Sequence, residues 1–413
     1  MLARFIGSSL LTLAVCTLGA CTPARHGHLV VIGGGIKEDN AEVWKDFVAA
    51  AGPKPNFVVV PTASQDHPAG IANNSARIGK YAPNAPVSGL SDDNGPDAVA
   101  SINTATALFF TGGDQSRITK RFRPDGKDTP ERAAMFALLA RDGVIAGTSA
   151  GAAMMSDPMF TGGASETALG GKPERRQRDP DDDTVVDENP GPRTAPGMGF
   201  FPYGMTDSHF FSRGRVGRLV AALEANKVRR GFGVADNRAL GVDLSTGLLT
   251  AFGDNCALVV DAADLQRSGL SRKSVRITLL SDGDVYDTST GRVTPGHGRT
   301  LTAVIIPERS PAYDAKIPDA WRRDGVIAAL QQCADGDGTA RAQSAAFDLR
   351  YRTDDRTRFG IGPGGKLLTA VDVILDITER PQAGSPGAPG QPGTPGTAGT
   401  PGQPGKPGAG ATK

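Results

Sequence analysis

The sequence predicts an α/β protein: a three-layer sandwich on a mostly parallel sheet, with a nucleophile elbow and a mixed C-terminal appendage. Three observations carry that expectation. Short apolar runs, among them Leu29-Val30-Val31-Ile32, Phe57-Val58-Val59-Val60 and Ala107-Leu108-Phe109-Phe110, read as strands buried on both faces, the pattern of a parallel sheet covered by helices. Helical spacing separates them, as at Val43, Trp44, Phe47 and Val48. The run Val144-Ile145-Ala146 leads into Gly147-Thr148-Ser149-Ala150-Gly151, a serine between glycines at the carboxyl end of a strand.

The chain opens with Arg4, an apolar run over residues 10–18, and Leu18-Gly19-Ala20-Cys21. Small residues before a cysteine resemble the lipobox of bacterial lipoprotein signals, which implies that residues 1–20 are a signal peptide and that Cys21 becomes the lipidated first residue. The apolar stretch is well short of the ~20 residues that a spanning helix needs. The expected location is therefore the cell envelope, periplasm or outer surface, through a lipid anchor in the membrane.

After a linker over residues 21–27, the main domain is expected over residues 28–298. Gly33-Gly34-Gly35 follows the first strand, but it lacks the G-x-G-x-x-G spacing and a suitable acid downstream, so no dinucleotide cofactor is expected. Thr129-Pro130-Glu131 supplies an N-cap, a proline at the first helical position and an acid in the first turn, which starts a helix ending near Arg141. Ligands collect at the carboxyl ends of strands in open parallel sheets. Residues 33–35, residues 112–115 and Ser149 should therefore gather along one edge.

Between Gly162 and Gly199 the chain turns polar around Arg175-Arg176-Gln177-Arg178-Asp179-Pro180-Asp181-Asp182-Asp183. This reads as a surface loop, with a lid near the site as the alternative. The triple aspartate has no neighbouring histidine or cysteine, so no metal site is expected there. Val216, Leu219, Val220 and Leu223 repeat as one helical face, and residues 241–301 look strand-rich. Residues 299–381 are expected as an appendage without an assignable role, helical over 321–332 and strand-like over 345–350 and 367–377. From Gly384 to Gly408 a glycine recurs at every third position, mostly after proline. That composition is collagen-like but short, and residues 382–413 are expected to be an extended polyproline-II tail.

The 45 basic and 44 acidic side chains nearly cancel, at net +1, and with 5 tyrosines and 2 tryptophans no nucleic-acid partner is indicated. Of the 4 cysteines, Cys16 leaves with the signal and Cys21 goes to lipid. Cys256 and Cys333 remain, either as a disulfide or as two buried thiols.

A serine hydroxyl is a weak nucleophile until a base accepts its proton. Among the 5 histidines, only His209 and His297 follow Ser149. His297 sits in the turn Pro295-Gly296-His297-Gly298 without companions, His26 and His28 lie near the mature terminus, and His67 lies in a loop, which leaves His209 as the base. It belongs to Thr206-Asp207-Ser208-His209-Phe210-Phe211-Ser212-Arg213-Gly214-Arg215, followed by Arg218. Cations at a helix entry oppose the helix dipole by ~0.3 to 1 kcal/mol each. Arg213, Arg215 and Arg218 therefore need compensation, either from local acids or from carboxylates of an acidic substrate.

Further segments extend the pattern: Pro61-Thr62-Ala63-Ser64, Phe110-Thr111-Gly112-Gly113-Asp114-Gln115 and Gly231-Phe232-Gly233-Val234-Ala235-Asp236. Taken in this order with the elbow and the His209 segment, from Leu29 to about Val293, the chain resembles the cyanophycinases. These belong to the serine-peptidase family that also contains the aspartyl dipeptidases (peptidase E). The resemblance implies a class I glutamine amidotransferase-like, flavodoxin-like fold that needs neither metal nor cofactor. It implies Ser149 as nucleophile, His209 as base and Asp236 as the acid orienting the imidazole, where many family members carry glutamate. It also implies an oxyanion hole from the amides of Gly113 and Ala150. The implied substrate pocket comprises Gln115, Asp207, Ser208, Arg213, Arg215 and Arg218, with Ser208 standing where glutamine is usual.

Cyanophycin is a polyaspartate backbone with arginine on each side chain, and cleavage by the family yields β-aspartyl-arginine dipeptides. The expected function is accordingly an exported, lipid-anchored serine exopeptidase acting on cyanophycin. Two other functions fit parts of the sequence. A peptidase for other aspartyl or isoaspartyl peptides is favoured by Ser208, and a non-catalytic surface scaffold by the tail and appendage. The family is commonly dimeric, so a homodimer is an expectation that the residues themselves do not fix.

Overall fold

A computed structural model describes residues 26–91, 95–170, 191–303 and 320–381. The signal peptide, the lipidation residue Cys21, the charged centre of the polar loop and the glycine-repeat tail lie outside the described residues.

The first half alternates strand and helix: β1 (His28–Ile32), α1 (Ala41–Ala50), β2 (Phe57–Val60), α2 (His67–Tyr81), β3 (Val87–Gly89), α3 (Pro96–Thr104), β4 (Ala107–Phe110), α4 (Gln115–Phe122), α5 (Pro130–Ala140) and β5 (Val144–Thr148). The strands pair in the order β3-β2-β4-β5-β1, all parallel. Successive strand residues face opposite sides of a sheet. Here Val58, Val60, Leu108, Phe110 and Ile145 accordingly enter one core, with Ile102, Ile118 and Leu138 from α3, α4 and α5. Phe57, Val59, Phe109 and Val144 enter the other, with Trp44, Phe47 and Ile78 from α1 and α2. Helices on both faces of one sheet make the three layers. Asn40 caps α1 by accepting from the Val43 amide, and Thr129 caps α5 by accepting from the Arg132 amide at 3.3 Å.

The chain continues through α6 (Ala150–Ala153), β6 (Met159–Gly162), α7 (Ser165–Ala168), β7 (Arg193–Ala195), β8 (Met205–Asp207), α8 (Val216–Asn226), β9 (Arg230–Val234), β10 (Arg238–Asp243), β11 (Leu248–Gly253), β12 (Ala257–Asp261), β13 (Gln266–Ser268), β14 (Ser271–Leu280), β15 (Val285–Asp287) and β16 (Val293–Thr294). Strand β10 returns antiparallel to β1, and β11, β15 and β16 follow outward. The first sheet is therefore mixed, and its parallel half is the half that carries the elbow.

The last elements are β17 (Leu301–Thr302), α9 (Arg323–Asp335), β18 (Thr339–Gln343), β19 (Phe347–Arg352), β20 (Arg358–Ile361) and β21 (Leu367–Glu379). They join a second sheet running β17-β20-β21-β14-β12-β9-β8, with β19 also on β21. The segment expected as an appendage is thus continuous with the strands that carry Asp207 and lead to Asp236. Val275, Ile277 and Leu279 of β14 share one core with Val373, Leu375 and Ile377 of β21, and α8 and α9 supply Leu219, Leu223, Val326 and Leu330 to it. Cys256 and Cys333 are both buried free thiols, not a disulfide. Burial pushes their pKa values up to about 11 and about 12.

Candidate active site

The turn from β5 into α6 places Ser149 at φ 53 and ψ −109. A non-glycine residue with positive φ costs of order 1–3 kcal/mol and persists only where its surroundings hold it. They do so here by close packing. A Cβ on Gly147 would lie 2.2 Å from the Gly151 carbonyl oxygen, and one on Gly151 would lie 2.5 Å from the Phe110 carbonyl oxygen. The Ser149 amide donates to Ile32 at 3.1 Å, which ties the turn to β1.

His209 follows β8, and its amide donates to Gly33 at 2.6 Å. Its ring lies on the Gly34 backbone, where a Cβ would be 2.2 Å from His209 Cε1. His209 Nε2 is 2.8 Å from Ser149 Oγ, and His209 Nδ1 is hydrogen-bonded to Asp236 Oδ1. A carboxylate on Nδ1 places the imidazole proton there and leaves Nε2 to accept from the serine.

Asp236 follows β9. A Cβ on Gly35 would stand 3.2 Å from its Oδ1, and the Asn237 amide donates to Gly34 at 2.8 Å. The glycine triplet is therefore the floor against which histidine and acid close, which is how the shorter aspartate reaches the ring. Ser212 Oγ donates to Asp236 Oδ2 at 2.5 Å, and Asn255 donates to its backbone oxygen at 2.8 Å. Burial acts to raise the Asp236 pKa, but the hydrogen bonds from His209 and Ser212 outweigh it and hold the carboxyl below its ordinary value.

Ser149 and His209 stand at the wall of a cavity of about 490 Å³. Gly113 and Ala150 line it beside the serine. Gly113 has φ +135, and a Cβ there would lie 2.0 Å from the Ala63 carbonyl oxygen, so only glycine fits. Gln115 opens α4 and donates through Nε2 to the Phe160 carbonyl at 2.7 Å. Ser208, Arg213, Arg215 and Arg218 also line the cavity.

Asp207, expected as a pocket residue, lies behind the wall instead, because its side chain is 0% exposed and already engaged. It accepts from Arg218 Nε at 2.8 Å and from Arg218 Nη2. Arg215 Nη1 lies 3.3 Å away and donates to the Ser208 carbonyl at 2.5 Å. Arg218 also stacks over Phe160, with its guanidinium carbon 4.7 Å from the ring centroid. Of the two compensations open for the helix-entry arginines, Arg215 and Arg218 thus have the local acid. Ser165 Oγ caps the same helix, accepting from the amides of Gly217 at 2.9 Å and Arg218 at 3.2 Å.

Sequence reasoning missed Ser212, Arg117, Phe160 and Arg193. Ser212 lies one turn from His209 and was legible as a neighbour, though not as a donor to Asp236. Arg117 lines the cavity two positions beyond Gln115 on α4. Arg193 is placed by pairing of β7 with β6 across the long polar loop, for which local sequence has no signal.

The sequence profile of peptidase family S51 matches residues 29–247. Cyanophycinases from Nostoc sp. and Trichormus variabilis are each 30% identical over 275 residues, which is 62% of this chain and 84% of theirs. A cyanophycinase from Synechococcus elongatus is 28% identical over 210 residues, 48% of this chain and 57% of its own. A solved peptidase from an acI-B1 actinobacterium aligns at 17% identity with a TM-score of 0.44, over 64% of this chain and 98% of its own.

Proposed function

The chain belongs to peptidase family S51 and is a serine-type peptidase, and from that premise we propose that it hydrolyses cyanophycin to β-aspartyl-arginine dipeptides. The observation that carries this reading is the chain of contacts from Asp236 through His209 to Ser149 Oγ at 2.8 Å, opening onto a cavity lined by arginines.

In the proposed reaction Ser149 Oγ attacks a backbone carbonyl of the polyaspartate while His209 Nε2 takes its proton. The amides of Gly113 and Ala150 receive the developing oxyanion. His209 then protonates the leaving amine, and an acyl-enzyme on Ser149 remains. Water, deprotonated by His209, releases the acyl group. Asp236 stays ionised throughout and stabilises the imidazolium. Arg215 and Arg218, fixed by Asp207, shape the pocket wall, and Arg213 lines it. The lipobox adds the proposal that the enzyme works outside the cytoplasm on a Cys21 lipid anchor, where polymer from outside the cell can reach it. A related aspartyl or isoaspartyl dipeptidase is the second reading, favoured by Ser208 in place of the usual glutamine.

The test is digestion of cyanophycin by the purified protein, with the products weighed. The expected product is the β-aspartyl-arginine dipeptide, and the Ser149→Ala variant should lose turnover by about six orders of magnitude with unchanged circular dichroism. Free arginine as the main product, or inert cyanophycin beside brisk cleavage of simple aspartyl dipeptides, moves the assignment to the second reading. Near-normal turnover by Ser149→Ala removes the serine mechanism.

A further inference from the structure

Trp321 belongs to the C-terminal segment, for which no role could be read from the sequence, and the fold packs it against the elements behind Arg218. Its side chain is buried, and Phe347 of β19 meets it edge to face with ring centroids 6.3 Å apart. It makes two further contacts. Trp321 Nε1 donates to Glu166 Oε1 of α7 at 2.9 Å. Its ring also reaches the first turn of α8, where a Cβ on Gly217 would stand 3.1 Å from Trp321 Cη2 and 2.8 Å from Ser165 Cβ and from Leu169 Cδ1. The bare Gly217 is what lets the indole, α7 and α8 close on one point.

Helix α7 carries these contacts on to the cavity wall. Ser165 Oγ caps α8 and donates to the Gly214 carbonyl at 2.5 Å, and the Gly163 carbonyl accepts from Arg218 Nη1 at 2.9 Å. Arg218 lines the cavity. Glu166 is 2% exposed, and its Oε2 has no hydrogen-bond partner among the described residues. Loss of the indole N–H would therefore leave a buried carboxylate with both oxygens unbonded, a larger penalty than an ordinary lost hydrogen bond. The nucleophile and base are anchored elsewhere, through the amide bonds of Ser149 to Ile32 and of His209 to Gly33.

We propose that Trp321 is a positioning residue for substrate binding. Through Glu166 and Gly217 it fixes α7 and the first turn of α8, and so sets the place of the Arg218 guanidinium on the cavity wall. The proposal rests on the peptidase reading, in which Arg218 shapes the pocket, and deepens it by giving the C-terminal segment a part in substrate selection. Binding groups have to be held within roughly 0.5 Å of their productive place. A loosened wall weakens substrate binding and raises KM, whereas a merely structural loss lowers the active fraction, and with it apparent kcat, at unchanged KM.

The test compares wild type, Trp321→Phe and Trp321→Ala in the full chain, on cyanophycin and on an aspartyl dipeptide. Hydrogen exchange of the peptide carrying the Gly217 and Arg218 amides is followed alongside and needs no substrate. Trp321→Phe keeps a ring and deletes the N–H. It should raise KM by about fivefold and Trp321→Ala by about tenfold or more, with kcat within about twofold of wild type. Exchange at the start of α8 should be faster in both. Adding Glu166→Gln to Trp321→Phe should recover much of the loss, because a neutral amide is less costly to bury without a partner than a carboxylate.

A fall in kcat at unchanged KM, or faster exchange with unchanged kinetics, would show a structural role only and overturn the proposal. So would no rescue by Glu166→Gln. If Trp321→Ala fails to fold, Trp321→Phe and the double variant decide. A wild type inert on cyanophycin whose KM for the dipeptide rises in Trp321→Phe would sustain the proposal and remove the cyanophycin reading. A wild type inert on both substrates would overturn the proposal together with the peptidase reading on which it rests.

Discussion

Asp236 has its two carboxylate oxygens assigned to different partners, His209 on one and Ser212 on the other. A hydrogen bond to a charged group contributes roughly 1.5–3 kcal/mol. Ser212→Ala should leave the protein folded and lower kcat by about tenfold, since Asp236 would then be free to rotate away from the ring. Ser212→Thr should recover most of that loss. Steady-state kinetics on one substrate decide it, and unchanged kcat in Ser212→Ala would mean that His209 alone holds the acid. Ser149 and His209 were legible because a serine between glycines and a histidine beside clustered arginines are local patterns. The glycine triplet was legible only as a strand end near the site. Its contacts with His209 and Asp236 join residues about two hundred positions apart, and no local spacing encodes them.

At the scale of the element, α8 begins with basic residues, and two of them, Arg215 and Arg218, share the buried acid Asp207. Removing one partner of a buried ion pair leaves an uncompensated charge and costs about 3–5 kcal/mol. Asp207→Asn should therefore destabilise the protein by several kcal/mol, read from urea denaturation, because Arg215 and Arg218 would both lose it. A loss below about 1 kcal/mol would mean that other partners of these arginines, the carbonyls of Ser208 and Gly163 among them, suffice without it. Arg218→Lys should be nearly as damaging as Arg218→Ala, since one ammonium cannot supply both the fork on Asp207 and the stacking on Phe160. The sequence exposed the need for compensation at this helix but not its source. Asp207 lies within the same motif, but its full burial at the end of β8 against Arg215 and Arg218 is set by the fold and not by the local pattern.

For the whole molecule, acid titration and the C-terminal strands give separate tests. Asp236, Asp261 and Asp354 all have pKa values below the ordinary carboxylate value, because hydrogen bonds from histidine, serine or arginine outweigh the burial that would raise them. A depressed folded pKa contributes stability that is present above the unfolded value of ~3.9 and is lost as pH falls through the folded value. Asp46, raised chiefly by burial, works in the opposite direction. The melting temperature should accordingly hold down to about pH 4.5 and fall below about pH 4, which calorimetry across that range checks. A flat profile to pH 2.5 would contradict the balance.

The C-terminal strands give the sharper test, because residues 299–381 looked separable in the sequence. Alternating apolar residues over 367–377 were enough to identify a strand. Its partner β14 lies roughly a hundred residues earlier, and nothing local records that pairing. In the structure β21 covers β14 through the pairs Val275 with Leu375 and Ile277 with Val373, and it carries β19 and β20 on its other side. Ending the chain at residue 298 would leave β14 as an open edge and uncover Val275, Ile277 and Leu279, which are 0%, 1% and 1% exposed. An exposed apolar edge strand templates aggregation. That truncation should give insoluble or unfolded protein. Ending the chain at residue 381 should leave solubility and turnover intact. Size-exclusion chromatography and activity of the two truncations separate the outcomes, and a soluble, active 1–298 chain would show that the second sheet closes without β21.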